Sequence, residues 1–154
     1  MSIRAWRITK ARHAADAFSG EGARLYGGRW NSIGTAMVYT AEHASLALLE
    51  LLVHLGSSSD LDNYVIIPCS FDEDLVEKLD IEWLPNNWTI SPPLVKVQRI
   101  GDDWFQSARS AILKVPSVVL PIEHNYLINP HHPDFTHLSI DEPLSLSLDP
   151  RLIR

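Results

Sequence analysis

Only two stretches of this chain carry a sustained helical pattern, and every other apolar run is short enough to be a strand. The first is "AEHASLALLELLVHLG" (41–56), where leucines recur throughout, Thr40 is placed to cap the start and Gly56 sits where a helix stop belongs. The second is "DDWFQSARSAILK" (102–114), with Trp104, Ala108 and Ile112 at helical spacing and Asp102 or Asp103 as cap. "DEDLVEKLD" (72–80) reads as a short third helix. Strands are expected at "IRAWRIT", "TAMVYT", "YVIIPCSF" and "VPSVVLP", with two short ones closing the chain. Pro68 assigns part of the third run to an edge or bulge position. Residues 11–26 read as a loop with one helical turn. Residues 83–95 read as an irregular Pro-rich excursion, and 122–135 as loop. Separated helices among short strands argue for an α+β fold with a mixed or antiparallel sheet and flanking helices, not a doubly wound one.

At 154 residues a single domain spanning 1–154 is expected. A domain of this size buries roughly 70% of its unfolded surface, so it needs no disulfide or structural metal. The one cysteine, Cys69, excludes an intrachain disulfide and reads as a small buried hydrophobe. "MSIRAWRITKAR" has no apolar core of a signal peptide, and no run approaches the ~18 apolar residues of a membrane span. A soluble cytoplasmic protein is the expectation. The net charge of −6 argues against sequence-independent nucleic-acid binding. Six of the thirteen basic residues nevertheless fall within residues 1–30, against two acids there. A local positive patch on an acidic body suits a small anionic ligand. Arg4, Lys10 and Arg12 are better read as surface ion-pair partners.

Chemistry-bearing residues cluster around "GGRWNSIGTAMVYT" (27–40) and the helix after it. The paired glycines open backbone conformations closed to other residues, so Arg29, Trp30 and Asn31 are presented on a short hairpin that either holds an anion or simply turns the chain. Glu50 stands among leucines in the helix. It either faces solvent or pairs with His54, or it projects into a cleft where nearness to Arg29 keeps it ionised. His124, His131, His132 and His137 match no metal-ligand spacing, and no metal is expected. Ser117 lies outside any nucleophile elbow. It either bonds a neighbouring backbone group or orients a ligand. Trp83 and Trp88 either form an exposed contact or pack on the core.

"GGRWNSIGTAMVYTAEHASLALLELLVH", "VPSVVLP" and "NYLINPHHPDF", taken in order, resemble the RES-domain toxins, a family named for an arginine, a glutamate and a serine. The resemblance runs from "RAWRI" to the C-terminal strands, and residues 72–100 lie outside its motifs. It implies a fold similar to ADP-ribosyltransferase toxins and the toxin half of a bacterial toxin–antitoxin pair. The implied partner is a DNA-binding Xre-like antitoxin, with a homodimer within the complex as a further expectation. The implied activity is NAD+ consumption by glycohydrolysis or by phosphorolysis with inorganic phosphate as co-substrate, or ADP-ribosylation of a protein. Carried across, the family's arginine falls on Arg29, its glutamate on Glu50, its serine on Ser117, a tyrosine on Tyr39 and a basic residue on Arg7.

On that resemblance Arg29 grips pyrophosphate, with Arg7 beside it in binding. Glu50 stabilises the oxocarbenium-like ribosyl centre left by nicotinamide. Tyr39 stacks on the nicotinamide ring, and Ser117 orients the ribose or ring. Two other classes stay open: a non-catalytic module that binds a nucleotide or partner, and an RNA-cleaving toxin. The second is disfavoured by the acidic body and by the lack of a His/Lys pair on a basic face.

Overall fold

The structure is a computed structural model that describes residues 1–55 and 63–152. The expected stop at Gly56 and most of the connector after it lie outside the described residues. The first strand, β1 (Ser2–Lys10), leads into a 3-10 segment (Ala11–Asp16) and a short helix, α1 (Glu21–Tyr26). Strand β2 (Val38–Ala41) precedes helix α2 (Ala44–Leu55), and β3 (Tyr64–Asp72) follows. Then come β4 (Val76–Lys78), helix α3 (Val95–Ser107), β5 (Ile112–Pro116) and β6 (His124–Ile128). Two short strands, β7 (Ser139–Ile140) and β8 (Leu144–Ser145), complete the sheet.

Among the described residues eight strands join one sheet in the order β4-β5-β6-β2-β1-β3-β7, with β8 also on β3. Every pairing is antiparallel except β4 with β5, so the sheet is mixed and the fold is α+β, as expected. Side chains alternate across the central strands. Leu113, Val115 and Leu127 pack with Trp30, Val97 and Trp104 beneath α3. Ile112, Tyr126 and Ile128 pack on the other face with Val38, Ile67, Cys69 and Phe71. Cys69 is a buried hydrophobe, and burial pushes its thiol up to about 12. Trp6 and Ile8 pack toward Leu46 and Ala47 of α2, as their alternation with Arg7 implies.

Several local expectations are corrected. Thr40 does not cap α2. It lies in β2, where its hydroxyl donates to the Tyr126 carbonyl at 2.9 Å. Helix α3 begins at Val95, just after Pro92 and Pro93, and ends at Ala108 in a left-handed conformation. Asp102 is therefore interior to that helix, and Ile112 belongs to β5. Residues 72–80 form a 3-10 turn (Glu73–Leu75) followed by β4, not a helix. The span 122–135, expected to be loop, contains β6, which is central in the sheet. Pro68 sits opposite Trp6 in full register. Its carbonyl accepts from Asp141 N–H on the outer side, so the side lacking an N–H faces the interval between β7 and β8.

Candidate active site

The N-terminal hairpin is fixed by its own glycines and by α3. Gly27 has φ +74°, a left-handed conformation costly for other residues. Gly28 has a different requirement, because a β-carbon there would stand 2.6 Å from the Tyr39 hydroxyl. Gly28 and Asn31 close the turn, with Gly28 N–H donating to the Asn31 carbonyl at 2.9 Å. Asn31 is fully buried, and its amide donates to the carbonyls of Ala23, Ser32 and Thr35. The Tyr39 hydroxyl donates to Asn31 Oδ1 at 2.6 Å and accepts from Trp30 N–H at 2.9 Å. Burial raises the Tyr39 phenol pKa, so it stays a neutral donor. From α3, Gln98 donates to the Gly28 carbonyl, and Asp102 accepts from both the backbone and the hydroxyl of Ser32.

A cleft of about 640 Å³ opens beside this hairpin. It is lined by Arg7, Arg29, Tyr39, Glu50, His54 and Asn125, among others. Four of the five expected site residues therefore share one wall system. Ser117, the fifth, is fully buried behind it.

Glu50 follows Leu46 and Ala47 by one turn, so α2 carries it on the inward face, while Leu49 and Val53 face outward. Its carboxylate is held at both ends by neutral donors. Asn125 Nδ2 reaches Oε1 at 2.9 Å, and Ser117 Oγ reaches Oε2 at 3.0 Å. Burial raises its pKa above the ordinary value, while these two hydrogen bonds, and His54 more weakly, act the other way. The groups that favour its charged form are thus Asn125, Ser117 and His54, whereas the Arg29 guanidinium, expected to keep Glu50 ionised, is directed to Trp88, Ile90 and Ser91. The nearby Glu123 charge adds a further small rise.

Ser117 has no hydrogen-bonding capacity to spare. Its one proton goes to Glu50, and Val119 and Leu120 N–H donate to its oxygen at 3.2 and 3.3 Å. In this geometry it reaches a ligand only through the carboxylate it orients. No local pattern marks Asn125 in the sequence, because its partners are 75 and 85 residues away. The only available signal was its place in "NYLINP", one residue inside a strand that read as loop. Asn125→Ala should cut turnover at this site about 10-fold or more, since a hydrogen bond to a charged group contributes about 1.5–3 kcal/mol. It should also move the acidic limb of the pH profile upward, because a donor favouring the charged form is gone. Initial rates between pH 5 and 9 check both.

The arginines are already partly engaged. Arg7 is largely enclosed, with Nε donating to the Ala17 carbonyl at 2.6 Å and Nη1 to the Tyr39 carbonyl at 3.0 Å, which leaves Nη2 for a ligand. Burial lowers its pKa, with Asp16 opposing. Arg29 Nη1 donates to the carbonyls of Trp88 and Ile90, and Nη2 to Ser91 Oγ at 3.0 Å. Nε–H and one Nη2–H remain. The Pro-rich excursion thus forms part of the site, although the sequence offered no role for it. Within it Trp88 packs against Trp30 with ring centroids 5.8 Å apart, whereas Trp83 is exposed. Among Arg4, Lys10 and Arg12, only Arg4 has a carboxylate partner among the described residues, Asp141 at 3.3 Å.

A single α+β domain whose cleft unites two arginines, a tyrosine and a carboxylate pinned by serine and asparagine defines the class. A family model described as the RES domain matches residues 4–149, and the chain belongs to that family. A Photorhabdus laumondii protein named Toxin Res is 37% identical over 150 residues, covering 97% of this chain and 96% of that one. A Yersinia enterocolitica protein of the same name is 40% identical, covering 96% and 97%. A Sphingobium protein named Prs ADP-ribosylating toxin is 39% identical, covering 100% and 99%. Among solved structures, the M. tuberculosis MbcT–MbcA toxin–antitoxin complex aligns with TM-score 0.78 at 21% identity, over 96% of this chain and 85% of that one, which shows the shared fold. Among the described residues no helix is long and apolar enough to cross a membrane.

Proposed function

We propose that this chain is the toxin of a toxin–antitoxin pair and that it cleaves the nicotinamide–ribose bond of NAD+. The observation that carries the reading is Glu50: a carboxylate on a rigid helix, oriented by two neutral donors, facing a cleft that also holds Arg7 and Arg29. Neutral donors fix its geometry without cancelling its charge. That charge then serves the cationic ribosyl centre formed as nicotinamide leaves. Nicotinamide departs as a neutral molecule, so no general acid is needed. The unspent N–H groups of Arg7 and Arg29 are suited to pyrophosphate oxygens. A relative named as an ADP-ribosylating toxin supports use of the same dinucleotide.

Water and inorganic phosphate are the acceptors proposed first, with a protein side chain as the second reading on the strength of that relative. An Xre-type antitoxin covering the cleft is the proposed partner, supported by the fold shared with a toxin solved in complex with its antitoxin. Purified protein should release nicotinamide from NAD+. A rate that rises with added phosphate and yields a phosphorylated ADP-ribose identifies phosphorolysis, and an indifferent rate identifies hydrolysis. No release without cell lysate, but release with it, identifies a protein acceptor. No release under any of these conditions sinks the reading.

A further inference from the structure

The β2–β6 ladder does not stop at the pair Ala41–Asn125. One step further Glu42 N–H donates to the His124 carbonyl at 3.1 Å, and there the chain turns into α2 on one side and leaves the 117–123 turn on the other. Four ionisable side chains meet at this corner. His43 Nδ1 lies 3.1 Å from Glu123 Oε1, and His124 Nδ1 lies 3.2 Å from Glu42 Oε1. Donor atoms of Glu42, His43 and Glu123 all fall within 4.8 Å of one another. The two carboxylates are only 19% and 26% exposed, and among the described residues neither has a lysine or arginine within 4.0 Å. Among the described residues these carboxylates meet two imidazoles and the His124 backbone N–H, and no permanently charged side chain pairs with either.

We propose that this corner binds one divalent transition-metal cation of the Zn2+ class through Glu42, His43 and Glu123. One imidazole and two carboxylates are a donor set suited to such an ion, with solvent completing the coordination on the exposed His43 side. Its supports are already in place. The His124 backbone N–H holds Glu42 Oε1 at 2.8 Å, which leaves Oε2 for the ion. Glu123 is anchored through its backbone, donating to the Leu120 carbonyl at 2.8 Å and accepting from Ser117 N–H at 2.9 Å. A cation here ties the turn that carries Ser117 to the start of the helix that carries Glu50. Its three ligands do not line the cleft, and the proposal does not depend on the reaction proposed above.

The test is calorimetric titration of the untagged protein with Zn2+, and with Co2+ read by its visible absorption. One ion per chain is expected, and the melting temperature should rise when Zn2+ is present. His43→Ala and Glu123→Gln should each weaken binding about 10-fold or more and remove the thermal shift. His137→Ala, a histidine outside the corner, should change neither. His43 is exposed, so its variant is expected to fold, and its metal-free melting curve shows whether it does. Absence of saturable binding, or binding undiminished in both variants, overturns the proposal. Activity towards NAD+ enters neither readout, so the two ideas stand or fall separately.

Discussion

Glu50→Gln should lower nicotinamide release by about 100- to 1000-fold, the range found when a group stabilising transition-state charge is removed. The side chain keeps its length and its hydrogen bond from Asn125, while the charge and the acceptor for the Ser117 hydroxyl are lost together. The wild-type rate should depend on pH in a linked way. In the proposed role Glu50 acts ionised, and burial raises its pKa, so the acidic limb should lie above the ordinary glutamate value of 4.5. For stability the sign is opposite. A carboxyl whose folded-state pKa is raised favours the folded protein when protonated. That contribution is present below 4.5 and is lost as pH rises to the folded-state value. The stability of wild type relative to Glu50→Gln should therefore fall across that window and be flat above it. Denaturant melts of the two proteins at several pH values measure this, and a difference that is constant with pH would mean the carboxyl is not buried as described.

Gly101→Ala should be the most damaging glycine-to-alanine change among the described residues. Gly101 is buried in α3, and a β-carbon there would stand 1.7 Å from the Trp30 carbonyl oxygen. No rotamer change relieves a clash with backbone, so either the helix or the hairpin must move. Overpacking costs typically about 1–3 kcal/mol and occasionally more, and this case belongs at the upper end. For a domain of this size about 3 kcal/mol lowers the melting temperature by roughly 6–12 °C. Trp30 is the neighbour of Arg29, so surviving folded protein should also bind substrate less well. Gly22→Ala, at a position with open space around it, is the matched control. Equal melting temperatures for the two variants would refute the close approach.

Much of this arrangement was legible from the chain. The Gly-Gly-Arg hairpin, the leucine-rich helix with Glu50 and the antiparallel character of the sheet all rest on local patterns that tertiary contacts did not override. What was missed depends on distant residues. Asp102 looks like a helix cap because aspartate commonly is one, yet its carboxylate is bound to Ser32, seventy residues away. β6 was hidden by flanking histidine, asparagine and proline, which signal loops. Arg29 could be recognised, but not that its guanidinium reaches residues 88–91. Ser117 could be assigned either to a backbone contact or to a ligand. In the folded chain its hydroxyl serves two backbone amides and Glu50 together.

The grip of segment 88–91 on Arg29 bears on how such a site can change. Two of its three acceptors are main-chain carbonyls, which every amino acid supplies. Side chains there can be exchanged while the guanidinium keeps its direction, but one residue added or removed shifts both carbonyls at once. Tolerance in this strap is therefore set by its length and path more than by its spelling. New surface chemistry can be placed beside the cleft without redesigning the arginine that serves it.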